Sequence, residues 1–372
     1  FSMRIHCTNC IYNYENFGGL QKPESEREDN EMIKNDDARI QKYLTPYKYG
    51  KPVLAGSGKE GAFDAQGVDC PFVFRHNDKF YMTYVGFDGT GYQTGLAVSD
   101  DLLHWEHECV ILARQEEGSR WDWVGAAATW IIKESDNLYD TPRLKKVDGR
   151  YWLVYHSYPS NGYEAGPAEI SLAWCEDEDL HTWHRLDEPV FSWKDGADWE
   201  KGGLYKACII QHEDTWYLFY NAKDTQKRWI EQTGMAKSKD LMHWERCPQN
   251  PVVPVTPPEA WDSRFLSDPY VVKDGELWLD FFFGYDGKVF KHAQDGLALS
   301  EDLVHWEKVE NPIVTSGEVG AIDEGHAHKA SIFYYEGRLY HFYCATRPWR
   351  EGDPTKVFNE FRTISVASDQ PF

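Results

Sequence analysis

The sequence predicts an all-β fold, a five-bladed β-propeller with four strands per blade, closed by an N-terminal strand pairing into the last blade. Three observations predict it. A heptad of the form Ser-x-Asp-Leu-x-x-Trp recurs along the chain. Short aromatic, β-branched runs recur around every copy. The chain also stops one strand short of a fifth unit while carrying a matching strand near its start.

The heptad stands at 99–105 (SDDLLHW), 238–244 (SKDLMHW) and 300–306 (SEDLVHW), with a looser copy at 176–183 (EDEDLHTW). Its last Trp falls at 105, 183, 244 and 306, so the spacings are 78, 61 and 62 residues, the length of one supersecondary unit. Each unit opens with a strand: Asp69-Cys-Pro-Phe-Val-Phe, Ala127-Ala-Thr-Trp-Ile-Ile, Tyr205-Lys-Ala-Cys-Ile-Ile, Ser267-Asp-Pro-Tyr-Val-Val and His328-Lys-Ala-Ser-Ile-Phe. Second strands follow in KFYMTYVG (79–86), RYWLVYHS (150–157), TWYLFYNA (215–222), ELWLDFFFG (276–284) and RLYHFYCA (338–345). Third strands are GLAVS (95–99), SLAWC (171–175), GMAKS (234–238), GLALS (296–300) and RTISVAS (362–368). Bounded by Gly, Asp and Asn, these runs read as strands joined by tight turns.

Fourth strands are ECVIL (108–112), EPVF (188–191), NPVV (250–253) and NPIV (311–314), and the fifth unit has none. KPVLAG (51–56) matches NPVVPV (250–255), and pairing it into the last unit leaves no open sheet edge. The propeller then spans 47–372. Residues 1–46 form an extension in which 23–44 is expected to be an acidic helix, packed on the rim or on a second copy of the protein.

Lys and Arg number 39 against 61 Asp and Glu, a net charge of −22, which argues against nucleic acid or an anionic membrane as partner. No apolar run approaches the roughly 18 residues of a membrane span. FSMRIHCTNC lacks the apolar core of a secretory signal, and Met3 is the expected natural start. The eight cysteines are spread singly apart from Cys7-x-x-Cys10, so reduced thiols and a cytoplasmic location are expected, periplasmic or secreted if a signal was removed. The 16 Trp, 22 Tyr and 19 Phe supply flat rings of the kind that stack on sugar faces.

The repeat also separates scaffold from site. Acids five residues before each opening strand (Asp64, Asp122, Glu200, Asp262, Asp323) recur in every unit and are expected to be turn or cap groups. The heptad fails the same test: its Asp is expected to close a turn and its Trp to pack between blades. Exceptions carry more information. The first aligned column reads Asp69, Ala127, Tyr205, Ser267, His328 and the second Cys70, Ala128, Lys206, Asp268, Lys329. Asp69, Lys206, Asp268 and His328 are polar groups at the inner mouth of the ring, and His326 lies on the same face as His328. Loops between second and third strands add Asp88, Tyr92, His156, Glu164, Glu169, Lys223, Asp224, Arg228, Trp229, Glu231, Asp286 and Arg347. Glu231 stands out because its equivalents are Tyr92, Ala168 and Ala293.

GVDCPFVFRHNDKFYMTYVGFDG (67–89), the heptads, SDPYVV (267–272) and GHAHKASIF (325–333) resemble the five-bladed propeller glycoside hydrolases, the arabinanase and β-xylosidase, invertase-like and neoagarobiose-hydrolase-like groups. The resemblance covers about residues 47–372 and implies that Asp69 is base or nucleophile. An arabinanase-like Asp opening the second blade is replaced by Ala126-Ala127-Ala128, and a Glu opening the third by Leu204-Tyr205-Lys206. The invertase-like Arg-Asp-Pro and Glu-Cys-Pro strings are missing. The neoagarobiose-hydrolase-like arrangement fits better: Asp69 as base, Asp268 orienting, His328 or His326 as acid, with Glu231 in reserve.

The function expected is exo-acting glycoside hydrolysis of small oligosaccharides, with Lys206, Tyr92, His156, Glu169, Arg228, Trp229 and Arg347 binding substrate. No cofactor is required, although a divalent cation at the ring centre held by the His pair suits this fold. The alternatives are a glycoside phosphorylase, with phosphate on Lys206, Arg228 and Arg347, and a non-catalytic sugar-binding propeller.

Overall fold

The computed structural model describes residues 32–288 and 291–372. The fold is all-β, with helical structure limited to three-residue 3₁₀ turns among the described residues. Opening strands Gly67–His76, Ala127–Ile131, Gly203–His212, Phe265–Asp274 and His326–Tyr335 each pair antiparallel with a second strand. The second strands are Lys79–Phe87, Arg150–Ser157, Thr215–Lys223, Leu277–Tyr285 and Arg338–Pro348. Third strands follow at Tyr92–Ser99, Glu169–Cys175, Glu231–Ser238, Gln294–Ser300 and Glu360–Ser368. Side chains from both faces of these strands are buried, which is why they read as near-continuous apolar runs.

The fourth strands follow proline content. Glu106–Leu112, without proline, forms one strand of seven residues, with two register shifts in its pairing. Elsewhere only His184–Arg185, Glu245–Arg246 and Glu307–Lys308 form ladders, and the Pro-containing runs that follow make single bridges at Phe191, Val253 and Val314. Proline has no N–H to donate, so the ladder breaks there. The N-terminal segment is split in the same way. Tyr47–Lys48 pairs with Ala367 and Ser368, and Leu54–Ala55 with Thr363 and Ile364, all on the last third strand.

The register makes the equivalence specific. Ala97 pairs with His107, Ala173 with Arg185, Ala236 with Arg246, Ala298 with Lys308 and Ala367 with Lys48. In four of the five units that position supplies a cation to the buried acid preceding an opening strand: Arg185 to Asp122, Arg246 to Glu200, Lys308 to Asp262 and Lys48 to Asp323. Tyr155, Tyr220 and Tyr343 donate hydroxyls to Asp122, Glu200 and Asp323 at 2.6, 2.9 and 2.9 Å. Four of these acids are therefore buried partners of a cation, and Glu200 also caps its own turn, accepting from Ala197 N at 2.7 Å.

The heptad is structural. Ser99 Oγ accepts from Leu102 N at 3.0 Å, Asp101 Oδ1 from His104 N at 2.8 Å, and Trp105 Nε1 donates to the Leu102 carbonyl at 2.9 Å. The same bonds recur in the copies at 238–244 and 300–306. Trp105 meets Phe342, and Trp306 meets Phe219, each edge-on across neighbouring units.

The acidic helix expected over 23–44 is not what residues 32–44 form, and 23–31 lie outside the described residues, as do Cys7 and Cys10. Ile33 bridges Val309, one 3₁₀ turn spans Gln41–Tyr43, and Ile33, Ile40 and Tyr43 are buried in the main core. Their spacing of seven and three places them on no single helical stripe that also keeps the acids in water, and the backbone pairing of Ile33 with Lys308 and Glu310 wins.

Candidate active site

Every opening strand slips register at its first aligned columns, at Asp69/Phe72, Ala128/Trp130, Tyr205/Ala207, Ser267/Tyr270 and His328/Ser331. In three of them the second-column residue takes a left-handed backbone, Cys70 at φ 47°, Asp268 at 57° and Lys329 at 70°. Bulges of this kind re-aim side chains, and here they turn Cys70, Lys206, Asp268 and Lys329 into a cavity of about 230 Å³. His328, Tyr205 and Ala127 from the first column line it too.

Three carboxyl groups line the cavity: Glu164, Glu231 and Asp268. Trp229 Nε1 donates to Glu231 Oε1 at 2.8 Å, while Asn221 Nδ2 and Ser267 Oγ donate to Oε2 at 3.2 and 3.0 Å. Burial, and then the charge of Glu164, push the Glu231 carboxyl above the ordinary glutamate range. Glu164 approaches the Tyr92 hydroxyl at 3.4 Å. Asp268 is also raised by burial, against the pull of Lys206, whose ammonium is 3.7 Å away.

Asp69 is not among the residues lining the cavity. Its Oδ1 accepts from Cys70 N at 2.8 Å, and its Oδ2 accepts from Lys329 Nζ at 2.9 Å and Arg362 at 2.8 Å. Burial opposes its charge, but the two cations overcome that and hold the carboxyl well below the aspartate range. This geometry makes Asp69 the counter-ion of Lys329 and Arg362.

His328, expected as the acid, is buried in the cavity wall. Burial drives its imidazolium well below the usual range, and the ring lies edge-on to Phe283 at 5.3 Å. His326 Nδ1 accepts from Ala293 N at 2.9 Å, and its Nε2 lies 3.6 Å from Glu360. His156 is pushed down to about 3 by burial and by Lys329 and Lys206. The His pair does not fit a divalent cation: the Nδ1 lone pair of His326 is taken, Lys329 and Arg362 stand close by, and no three potential ligands converge among the described residues.

Of the other expected substrate contacts, Tyr92, His156 and Lys206 line the cavity. Trp229 reaches it through its bond to Glu231. Three are committed elsewhere. Glu169 bonds Ser192 and Lys194, Arg228 donates to the Asp286 carbonyl, and Arg347 forks onto Asp353 at 2.8 and 2.7 Å. None of the three lines the cavity.

Sequence reasoning misses Arg362, although the signal for it is present. It lies five residues before Ala367, as Tyr92, Ala168, Glu231 and Ala293 lie five before their aligned alanines. The same column that singles out Glu231 thus holds a second exception in the fifth unit. Tyr158 and Tyr163 are missed as well; with Tyr92 and Tyr205 they make one wall of the cavity.

The cavity thus joins three carboxyl groups, Glu164, Glu231 and Asp268, to an aromatic wall of four tyrosines. The family model for the glycosyl hydrolases family 32 N-terminal domain matches residues 133–324. The protein belongs to this family. A beta-1,2-mannobiose phosphorylase of Thermoanaerobacter sp. (strain X514) is 25% identical over 222 residues, 48% of this protein and 70% of that one. A 1,2-beta-oligomannan phosphorylase of the same strain is 27% identical over 128 residues, 33% of this protein and only 42% of that relative. Among solved structures, one described as a glycoside hydrolase is 28% identical with a TM-score of 0.75, covering 90% of this protein and 94% of its own length. A structure of the GH130 mannoside phosphorylase family, described as containing hydrolases of beta-1,2 mannosidic linkages in Candida mannan, shares the fold at 13% identity and TM-score 0.62. It covers 88% of this protein and 97% of that one. The fold is that of the propeller glycoside hydrolases.

Proposed function

We propose that this protein is an exo-acting glycoside hydrolase that removes a terminal sugar from small oligosaccharides, on a closed five-bladed propeller. The observation that carries this is Glu231: a carboxyl in the cavity, aimed by three donors, with its pKa raised above the ordinary glutamate range by burial and by Glu164. Such a group protonates the leaving oxygen as the glycosidic bond breaks. Glu164 is the partner carboxylate, which activates water or attacks the anomeric carbon. Asp69 fixes Lys329 and Arg362, and Lys206, Asp268 and His156 present donors and acceptors to sugar hydroxyls.

The names of the relatives favour a second reading, phosphorolysis. Phosphate binding calls for cations free to face it. Lys329 and Arg362 are matched by Asp69 and Glu360, which favours hydrolysis, and Lys206, 3.7 Å from Asp268, and Lys223 are the lining cations left to meet a phosphate. Purified protein is expected to release monosaccharide in phosphate-free buffer from a panel of small oligosaccharides that includes β-1,2-mannobiose. Turnover that depends on phosphate and accumulates a sugar 1-phosphate would overturn this in favour of the phosphorylase. Absence of turnover in either condition would favour a binding protein.

A further inference from the structure

The cavity's aromatic wall continues into solvent. Tyr205 and Tyr158 lie with ring centroids 5.4 Å apart, Tyr158 and Tyr92 6.0 Å, Tyr92 and Tyr163 5.7 Å, and Tyr163 and Phe358 5.2 Å. The first three of these tyrosines are buried, while Phe358 at the outer end is 68% exposed. It occupies a left-handed backbone at φ 53°, a conformation that a bulky residue rarely adopts. The turn that holds it there is well anchored. Val357 and Glu360 exchange backbone bonds of 3.0 and 2.9 Å, Val357 is buried, and Glu360 bonds Arg362 on the cavity wall. An exposed phenyl ring in a strained, fastened turn, in line with a cavity, is a feature in search of a function.

We propose that Phe358, backed by Tyr163, is a stacking platform for the sugar ring of the leaving group, just outside the cavity. The inference rests on the glycosidase reading above and deepens it: the natural substrate has at least a second ring beyond the bond that is cut. Phe358 meets Tyr163 edge-on, at 73° between planes, so a face of its ring remains open to stack on the apolar side of a sugar. Trp229, another exposed aromatic beside the site, is not equivalent. Its indole N–H is given to Glu231, and Arg264 and Lys223 sit over its ring at 4.6 and 5.3 Å.

The test compares two substrates sharing one terminal sugar: a trisaccharide, and the glycosyl fluoride, whose leaving group has no ring. Phe358→Ala is expected to raise KM for the trisaccharide about three- to tenfold, the range of one aromatic contact, with kcat held. Turnover of the fluoride is expected to be unchanged, and Phe358→Tyr to behave as the wild type. An unchanged KM for the trisaccharide, or equal losses on both substrates, would overturn the platform. If the wild type turns over neither substrate, the hydrolase reading fails separately. Calorimetric titration of wild type and Phe358→Ala with a panel of di- and trisaccharides then decides: weaker binding by the variant supports the platform, and equal binding overturns it.

Discussion

Glu231 and Arg362 occupy one register position in two different strands, and they illustrate what a single residue discloses. Glu231 is legible because its counterparts in other units are alanine or tyrosine; Arg362 is equally exceptional once the fifth unit is aligned. Their partners are not legible. Asp69 is tied to Lys329 and Arg362, 260 and 293 residues further along, and no local pattern tells which charges across such a gap will neutralise each other. The protonation of Glu231 leads to a prediction. As proton donor it works in its protonated form, so kcat/KM for an oligosaccharide should fall as pH rises through its raised pKa, above the ordinary value of 4.5. The same shift favours the folded state most fully below 4.5, and that contribution is lost as pH rises through the folded value. Glu231→Gln should lower turnover of oligosaccharides by about 10²–10⁴-fold, the usual worth of a general acid. It should spare a glycosyl fluoride, whose leaving group needs no proton, whereas Glu164→Gln should lose both. Equal loss of both substrates in Glu231→Gln would reverse the two roles.

At the scale of elements, strand existence and order follow from aromatic and β-branched periodicity, and proline placement explains why four fourth strands are broken and one is not. Bulges are not legible. Their positive φ values fall on Cys70, Asp268 and Lys329, where no turn signature in the sequence announces them, and the tertiary packing imposes the shape. The heptad, in contrast, encodes its turn locally. Asp302 Oδ1 accepts from Val304 N and His305 N at 2.9 and 2.8 Å, and Oδ2 meets His305 Nδ1 at 2.7 Å. Because this is the bonding of a cap on an exposed turn, Asp302→Ala should cost about 0.5–2 kcal/mol of stability without altering kcat/KM. Chemical denaturation beside steady-state kinetics would check it, and a loss of activity at unchanged stability would return the heptad to the site.

At the scale of the whole molecule, Tyr47–Lys48 and Leu54–Ala55 pair with the strand Glu360–Ser368. Lys48 pairs opposite Ala367 as Lys308 pairs opposite Ala298, and each ammonium reaches a buried acid, Asp323 or Asp262. If the N-terminal strand completes the last unit, these two lysines do the same job from opposite ends of the sequence. Removing either leaves a carboxylate in the interior without its cation, a change worth about 3–5 kcal/mol for fully buried pairs. Both lysines retain some exposure, Lys48 more than Lys308, so the cost should be smaller, about 1–3 kcal/mol. Lys48→Met and Lys308→Met should therefore destabilise to a similar degree in a single cooperative transition. The strand that Lys48 fastens, Glu360–Ser368, carries Arg362, so Lys48→Met should also lower activity near its own unfolding midpoint. If Lys48→Met instead left stability untouched while Lys308→Met lowered it, the N-terminal strand would be an ornament on the rim.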